Sequence, residues 1–211
     1  MNNNKIKIVL FDVDWVIIRP PYYFPKKLEN DWYKNAKNIF NDFFKKYNSD
    51  LTEWKKSIKK EILPYLEKIN WKKGVDSFLE ESYKFEYKYL DYKILEKIKK
   101  LQKKWIMCYL ATSQEKERSE YFLNKWNFKN IFDDYFISYN FWYRKENIKF
   151  WEKTEKELLK KGVKTDDVLF FDDSKTNIIM AENIGIKSFL FTNYEKFEND
   201  LKNNIICNLW I

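Results

Sequence analysis

The sequence contains no histidine, and this absence removes several kinds of active site at once. Catalytic triads that depend on histidine, zinc sites with histidine ligands and phosphohistidine chemistry are all excluded. Any nucleophile or proton shuttle in this protein must therefore come from another type of side chain.

Cysteines and long apolar runs are also scarce. The only cysteines are Cys108 and Cys207, and two cysteines do not make the disulfide framework of a secreted protein. No apolar run approaches the ~20 residues that a membrane-spanning helix requires. The N-terminal residues lead directly into an apolar strand and lack the apolar core of a signal peptide. We therefore expect a cytoplasmic protein without a membrane partner.

Glycine is rare, at 3 residues, whereas lysine, asparagine, isoleucine, phenylalanine and tyrosine are abundant. The net charge is +8. A surface for nucleic acid or for an anionic membrane is one explanation of that charge. A compositional bias of the whole sequence is the other, and the spread of lysines along predicted helix faces favours it. Nucleic acid is therefore not an expected partner.

The first third of the chain after the opening strand has a helical pattern. Residues 28–90 show apolar side chains at three- and four-residue spacing and no strand-like run. Asp31 is a candidate cap for the first helix, and a second helix is predicted over residues 51–62, ending near Pro64. We therefore predict a helical insertion over residues 19–91.

Strands and helices alternate in the rest of the chain. An unbroken apolar run at residues 8–11 predicts a strand that is buried on both faces. After residue 92, four further strands are predicted at 105–110, 135–138, 168–171 and 187–191. This alternation predicts an α/β core over residues 1–18 and 92–211, with a Rossmann-like parallel sheet flanked by helices.

Two carboxylates, Asp12 and Asp14, directly follow the first predicted strand. Strand residues two apart point the same way, so both side chains can project at the carboxyl end of the strand, where open α/β sheets place their ligands. Like charges this close repel each other, and a divalent cation or a shared proton would relieve the repulsion. On these residues alone, an exposed acidic turn is an equally good interpretation.

Three further polar clusters follow the later strands. Thr112 and Ser113 come after the second strand, Lys145 lies in the loop after the third, and Asp172 and Asp173 come after the fourth. Each cluster has an ordinary explanation, such as the capping of the next helix. Their shared position at the carboxyl edge of one sheet instead predicts a joint site.

Phosphoryl transfer gives these clusters a common purpose. Asp12 could attack phosphorus to form an aspartyl phosphate, and Asp14 could protonate the leaving oxygen and then deprotonate the attacking water. Asp172 and Asp173, together with Asp12, would hold Mg²⁺, a hard ion that prefers oxygen ligands. The groups that would hold the phosphoryl oxygens are hydroxyls and a cation: Thr112, Ser113 and Lys145.

These motifs resemble those of the haloacid dehalogenase superfamily, whose members are mostly phosphatases. Residues 11–16 look like its first motif, Asp-x-Asp-x-Thr/Val, and residues 110–114 are similar to its second, an apolar strand ending in Thr or Ser. Residues 144–146 stand where the family usually has Lys-Pro. Residues 169–174, followed by Asn177, look like its fourth motif. The resemblance covers nearly the whole chain.

The resemblance implies a role for each carboxylate. Asp12 is the nucleophile, and Asp14 is the acid/base that also reaches the metal through its backbone carbonyl. Asp173 is expected to bind Mg²⁺ directly and Asp172 through water. Residues 19–91 correspond to a small α-helical cap domain, inserted after the first strand, that closes over the site and selects the substrate.

Two positions depart from the family pattern. Trp15 occupies a position often held by Gly, Asp or Asn, and its ring either narrows the pocket or packs away from it. Glu146 replaces the usual proline beside Lys145, which loosens that loop and adds a negative charge. Arg144 or Lys149 is therefore an alternative to Lys145 as the working cation.

The leading hypothesis is a Mg²⁺-dependent phosphatase that acts on a small phosphorylated metabolite. A phosphomutase keeps all four motifs and is an alternative. A dehalogenase is less expected, because the dehalogenases that this sequence resembles usually lack an acid at the position of Asp14. A non-catalytic binding member and a nucleic-acid end phosphatase are the remaining alternatives. The complete set of motif carboxylates argues against the first of these, and only the net charge suggests the second.

Overall fold

A computed structural model describes residues 6–205 of the chain. It contains a five-stranded sheet. The strands are β1 (Ile8–Phe11), β2 (Met107–Thr112), β3 (Asp134–Ile137), β4 (Val168–Asp172) and β5 (Lys187–Leu190). Their order across the sheet is β3-β2-β1-β4-β5, and every neighbouring pair is parallel. The predicted α/β architecture is confirmed, with β1 at the centre of the sheet.

Helices account for most of the remaining described chain. Before β2 lie α1 (Phe24–Asn30), α2 (Ala36–Thr52), α3 (Ile58–Glu61), α4 (Leu63–Lys68), α5 (Val75–Tyr87) and α6 (Tyr92–Gln102). After β2 lie α7 (Lys116–Asn124), α8 (Phe128–Ile131), α9 (Ser138–Phe141), α10 (Ile148–Lys160), α11 (Lys175–Glu182) and α12 (Tyr194–Asn204). A 3₁₀ turn, Thr165–Asp167, precedes β4.

The register of the sheet brings the predicted site residues to one edge. Phe11, the last residue of β1, is paired with Leu110 of β2 and with Phe171 of β4. The backbone N–H of Asp12 donates to the Phe171 carbonyl at 3.0 Å, which continues the ladder by one residue. The carboxyl ends of β1, β2 and β4 therefore meet around Asp12.

Burial on both faces of the sheet explains the apolar runs of the strands. All four residues of β1 are fully buried. On one face, Phe11 stacks on Phe171 at 6.2 Å between ring centroids, and both rings contact Phe197 of α12. On the other face, Phe170 packs against Trp151 of α10 at 4.8 Å. Helices on both sides thus cover a sheet that has no polar face.

The helices before β2 differ from their predicted bounds. The helix predicted over 51–62 is wrong, because α2 continues to Thr52 and a short turn separates it from α3. Pro64 lies in the first turn of α4, where its missing N–H costs no intrahelical bond, so it begins a helix rather than ending one. Asp31 closes α1 and does not cap α2. The division into core and cap stays a prediction.

The C-terminal segment is described only in part. The predicted last helix is present as α12, whose N-cap residue Asn193 accepts a hydrogen bond from the Lys196 N–H. The apolar tail predicted to pack down after it lies outside the described residues. Among residues 6–205, no helix is both long and apolar enough to cross a membrane.

Candidate active site

Asp12 lies at the carboxyl end of β1 and is almost fully buried. Its Oδ1 is 2.6 Å from the Nζ of Lys145. The same Nζ donates to Asp172 Oδ2 at 2.5 Å, so one buried ammonium lies between two carboxylates. Removing these charges from water is costly, and the shared ion pair offsets part of that cost.

The loop before α10 presents Lys145 without the help of a proline. The Lys145 backbone N–H donates to Ser113 Oγ at 3.0 Å, and its carbonyl accepts from the Trp151 indole at 2.8 Å. Arg144 is paired with Glu146 at 2.7 Å, so the neighbouring negative charge is directed to Arg144 and not to Lys145. Lys145 is therefore the cation that faces Asp12.

The alternative cation Lys149 lies elsewhere. Its Nζ sits over the ring of Tyr143, at 5.3 Å from the ring centroid. Lys149 is the second residue of α10, and its backbone N–H donates to the side chain of the N-cap residue Asn147. The position of Lys149 gives it no contact with either buried aspartate.

Asp172 and Asp173 complete an acidic cluster with Asp12. Ligand oxygens of the three carboxylates all lie within 4.8 Å of one another, a spacing that could hold a metal ion. Asp172 is held in place by the Ser174 N–H at 2.8 Å and by the Asn177 amide at 3.0 and 3.1 Å. Asp173 is the exposed member of the cluster.

The charges of this cluster favour a bound cation. Burial raises the pKa of Asp12, and the charge of Asp172 raises it further, although Lys145 opposes both. Burial and the charge of Asp172 also raise the pKa of Asp173. Three carboxylates therefore share one ammonium, and the excess negative charge on hard oxygen donors suits an ion such as Mg²⁺.

Asp14 belongs to a different network. Arg118 of α7 holds its carboxylate with both terminal nitrogens, Nη2 at 2.6 Å and Nη1 at 3.0 Å, and the Gln114 amide donates to it at 2.6 Å. Burial alone would raise the pKa of Asp14. The charge and hydrogen bonds of Arg118, with the bond from Gln114, outweigh burial and hold that pKa below its usual value.

The Arg118 network continues into the helical segment before β2. Arg118 Nε donates to Glu86 of α5 at 2.8 Å. Glu115, the N-cap residue of α7, accepts from the hydroxyl of Tyr83 of α5 at 2.8 Å. The helix that follows the second motif is therefore joined to α5 by two buried polar contacts.

The sequence analysis did not identify Arg118, Gln114 or Glu86. Gln114 and Arg118 are four residues apart, a spacing that places them near each other on one helical turn. Nothing in the local sequence links either residue to Asp14, which is 100 or more positions away.

The two hydroxyls after β2 have different surroundings. Thr112 is fully buried, and its Oγ1 has no hydrogen-bond partner within the described chain. Ser113 accepts from Lys145 and lines the cavity. Ser113 therefore borders the cavity, whereas Thr112 is not among the residues that line it.

A cavity of about 920 Å³ lies over these residues. Asp12, Asp14, Ser113 and Lys145 line it, and so do residues of α2 and α5. Trp15 also lines it, with its indole N–H donating to the Tyr23 hydroxyl at 2.9 Å. The ring of Trp15 therefore borders the cavity instead of packing into the core.

Comparison with known proteins agrees with this architecture. A family model described as haloacid dehalogenase-like hydrolase matches residues 9–191. A sequence comparison with curated proteins gives no match.

Several solved structures resemble the chain in fold. A wild-type HAD family enzyme from Bacteroides thetaiotaomicron, in complex with magnesium and inorganic phosphate, superposes with a TM-score of 0.69 at 15% identity, covering 91% of this chain and 98% of that one. The HAD-hydrolase YfnB from Bacillus subtilis, bound to magnesium, gives 0.62 at 15% identity, with 94% and 99% covered. L-2-haloacid dehalogenase from Xanthobacter autotrophicus gives 0.62 at 13% identity, with 98% and 85% covered.

Proposed function

The chain belongs to the haloacid dehalogenase-like hydrolase family, and we propose that it is a Mg²⁺-dependent phosphatase that hydrolyses a small phosphomonoester. The proposal depends on one observation: the two carboxylates after β1 have different hydrogen-bond and ion-pair partners. Asp12 faces Lys145 and the acidic cluster, whereas Asp14 borders the same cavity on its own hydrogen-bond network. Phosphate ester hydrolysis needs such a nucleophile and a distinct proton shuttle.

The first step forms an aspartyl phosphate. A carboxylate oxygen of Asp12 attacks phosphorus, and the bond between phosphorus and the alcohol oxygen breaks. The contacts with Arg118 outweigh burial and lower the pKa of Asp14, so Asp14 must be released from them to carry a proton, which it then gives to that oxygen as it leaves. In the second step Asp14 removes a proton from water, the water oxygen attacks phosphorus, and inorganic phosphate departs from a restored Asp12 carboxylate.

The phosphoryl oxygens would be held by groups at the ends of β2 and β3. The Lys145 ammonium, already 2.6 Å from Asp12, supplies positive charge where negative charge develops. The Thr112 hydroxyl, which lacks a partner among residues 6–205, and the Ser113 hydroxyl would donate hydrogen bonds. Because these donors are fixed before substrate binds, little reorganisation accompanies the reaction.

The acidic cluster is the proposed magnesium site. Asp12, Asp173 and the backbone carbonyl of Asp14 would bind the ion directly, and Asp172 through water. The many hydrogen bonds to Asp172 support this division, because both of its oxygens are already engaged. When bound, Mg²⁺ would neutralise charge on the phosphoryl group. The magnesium-bound structures of similar fold support the choice of ion.

The helical segment over residues 19–91 would act as the cap. Residues of α2 and α5 line the same cavity as Asp12. A segment in this position would exclude water from the aspartyl phosphate and contact the leaving group of the substrate.

Turnover of p-nitrophenyl phosphate with Mg²⁺ tests the proposal. Asp12→Asn should reduce kcat by about 10⁴-fold or more, because the nucleophile is lost. Asp42→Asn is a matched control, since Asp42 is an exposed residue of α2 that does not line the cavity. Equal turnover by Asp12→Asn and Asp42→Asn would refute the assignment. Release of one inorganic phosphate per alcohol separates hydrolysis from a mutase reaction.

A labelling experiment separates a phosphatase from a dehalogenase. In a phosphatase, water attacks phosphorus, so a single turnover in ¹⁸O-water places the label in inorganic phosphate. In a dehalogenase, water attacks the carbonyl carbon of the ester on the nucleophile, so the label enters the aspartate. We expect unlabelled Asp12 and labelled phosphate, and label in the peptide that contains Asp12 would contradict the proposal.

A further inference from the structure

The α2 side of the cavity carries two exposed lysines. On α2, Lys37 and Lys45 both line the cavity, together with Asn41 and Phe44 between them. No ion pair or side-chain hydrogen bond joins either ammonium to another described residue. The two lysines are eight positions apart on one helix, so their backbones are roughly 12 Å apart along its axis.

The other cations that line the same cavity are all paired. Lys145 contacts Asp12 and Asp172, and Arg118 contacts Asp14 and Glu86. Arg144 pairs with Glu146, and Lys26, at the cavity rim, pairs with Glu29. Lys37 and Lys45 thus differ from every other cation that lines the cavity.

The acidic residues of α2 do not compensate these two lysines. Asp42 and Asp50 are the acidic residues of the helix, and neither lines the cavity. Asp50 instead faces Lys56, at 3.7 Å. Beside the hydrogen bond from Lys26, the charge of Lys37 also lowers the pKa of Glu29 of α1, but the ion pair of Glu29 is with Lys26. The cavity side of α2 therefore keeps an excess of positive charge.

The cavity is larger than one phosphoryl group requires. Its volume of about 920 Å³ lies near the upper end of the ~300–1,000 Å³ usual for small-molecule sites. Tyr22, Tyr23 and, on α2, Phe44 line the cavity with exposed rings. These rings suit the uncharged body of a leaving group.

We propose that Lys37 and Lys45 bind a second anionic group of the substrate, at the end opposite the phosphoryl group that is removed. The substrate class is then a phosphomonoester whose leaving group carries a further phosphate or carboxylate. This inference rests on the proposed phosphatase function and assigns the specificity of the same site.

The test compares three aryl phosphates that differ in one substituent: phenyl phosphate, 4-carboxyphenyl phosphate and 1,4-phenylene bisphosphate. The wild-type protein should favour the two anionic compounds in kcat/KM. In the double variant Lys37→Gln/Lys45→Gln, that preference should fall by roughly tenfold to a hundredfold, since one charged hydrogen bond is worth about tenfold and two are lost. Which anionic compound loses more shows whether phosphate or carboxylate is the better ligand.

Lys34→Gln/Lys46→Gln is the matched control. It removes the same charge from the same segment, at exposed positions outside the cavity, and should keep the preference. An equal loss in both double variants would mean that net charge alone attracts the anions. A wild-type protein that hydrolyses phenyl phosphate without preferring the anionic compounds would overturn this inference alone. No hydrolysis of any compound would overturn the proposed function as well.

A second inference comes from the backbone and is independent of the first. Eight residues other than glycine have a positive φ in the described chain, and they are of two types only. Three are asparagines. Five are tryptophans: Trp15, Trp32, Trp54, Trp105 and Trp142. Asparagine tolerates the left-handed region, but a bulky aromatic residue there is an outlier.

The tryptophans of the described chain divide into two groups. The five with positive φ are 37–93% exposed, whereas Trp71, Trp126 and Trp151 have ordinary φ values and are at most 7% exposed. The indoles of Trp71 and Trp151 donate to backbone carbonyls. The second group behaves as core tryptophans do, and the first does not.

Four of the five left-handed tryptophans close helices. The N–H groups of Trp32, Trp54 and Trp105 each donate to the carbonyl three residues back, just past α1, α2 and α6, and Trp142 ends α9 in the same conformation. Gly162 and Gly185 make the same contact after α10 and α11, also with positive φ. Glycine is the usual residue at this position because it lacks the Cβ that clashes there.

We infer that these five positions are glycine in the protein that the source cell makes. A codon that yields tryptophan under one genetic code and glycine under another would produce this division into two groups. It would also explain a chain with 3 glycines and 9 tryptophans, where ordinary usage of glycine is about 7%.

Peptide masses of the protein isolated from its own cells decide this inference. We expect glycine at positions 15, 32, 54, 105 and 142 and tryptophan at 71, 126 and 151. Tryptophan at all eight positions would overturn it. In the chain with tryptophan at these positions, Trp105→Gly should raise Tm by about 2–4 °C by relieving backbone strain, whereas Trp151→Gly should lower Tm through loss of a core side chain. A lower Tm for Trp105→Gly would count against the inference.

Discussion

The two aspartates after β1 are two residues apart, yet they are held by different parts of the molecule. The partners of Asp12 come from the sheet edge and its loops: Lys145 and, through it, Asp172. The partners of Asp14 come from helices: Arg118 and Gln114 of the α7 region and, through Arg118, Glu86 of α5. One network is confined to the core, whereas the other joins the core to the helical segment before β2.

The difference shows how one strand end can supply two chemical roles. A nucleophile must stay in place next to the charges that stabilise the reacting phosphoryl group. A proton shuttle must change its protonation state and therefore benefits from partners that can move. Because Arg118 also contacts α5, the hydrogen bonds of Asp14 would depend on the position of the proposed cap. The contacts of Asp12 would not depend on it.

Removing the carboxylate of Asp14 alone should have the largest effect and tests whether the two aspartates have separate roles. Asp14→Asn should lower kcat on an alkyl phosphate by about 10²–10⁴-fold, the usual contribution of general acid–base catalysis. With p-nitrophenyl phosphate the first step needs no proton, because nitrophenolate is a stable leaving group. The variant should therefore release one equivalent of nitrophenolate quickly and then turn over slowly.

Asp12→Asn distinguishes the two roles in the same experiment. Without the nucleophile no aspartyl phosphate forms, so neither the rapid release nor the slow turnover should appear. Rapid-quench measurements of both variants provide the test. An Asp14→Asn protein that is slow from the first turnover with p-nitrophenyl phosphate would show that Asp14 is needed for more than proton transfer.

The next effect concerns the bridge between the helical segment and the core. Arg118→Met leaves Glu86 and Asp14 without their shared cation, and removal of one partner from a buried ion pair costs about 3–5 kcal/mol. Arg144→Met is the matched control, because Arg144 also borders the cavity but pairs with a partly exposed Glu146, and exposed pairs contribute about 0–1 kcal/mol. Urea unfolding gives both values.

A second substitution identifies the cause of the loss. Burial raises the pKa of Glu86, and Arg118 opposes that rise, so Glu86 is the partner most affected by loss of the guanidinium. Adding Glu86→Gln to Arg118→Met should restore part of the stability. If Arg118→Met is as mild as Arg144→Met, the bridge contributes little and the comparison between the two networks fails.

The core network could be predicted from sequence because its residues mark the ends of strands. An apolar run predicts a strand, and the polar residue after it marks the carboxyl end of that strand. A parallel sheet brings the carboxyl ends of all its strands to one edge. That reasoning located Asp12, Thr112, Lys145 and Asp172 at one edge, where the structure has them. The five strands were predicted to within about two residues for the same reason.

The helical network could not be predicted in this way. Arg118 meets Asp14 across 104 positions and Glu86 across 32, through contacts between helix faces that leave no periodic signal. Helix bounds in the insertion also failed, because Pro64 can begin a helix as well as end one. Side-chain contacts between separately folded elements depend on packing angles that the local sequence does not specify.

The smallest predicted effect lies at the second contact between α5 and α7. Burial and, after it, the neighbouring Glu117 together raise the pKa of Glu115 from its usual 4.5 to about 8. The folded state therefore binds the Glu115 proton more tightly than the unfolded state. The stabilisation that this proton provides is complete below the unfolded pKa and is lost as pH rises through about 8.

Glu115→Gln keeps a neutral side chain at every pH and should remove this dependence. Relative to the wild-type protein, the variant should become more stable on going from pH 5 to pH 9, by up to about 4 kcal/mol. Glu120→Gln, an exposed change on the same helix, should leave the pH dependence unaltered. Urea unfolding across this range provides the measurement. If Glu115→Gln follows the wild-type curve, Glu115 is ionised in the folded protein, and the contact with Tyr83 is then a second charged bridge between α5 and α7 like that of Arg118.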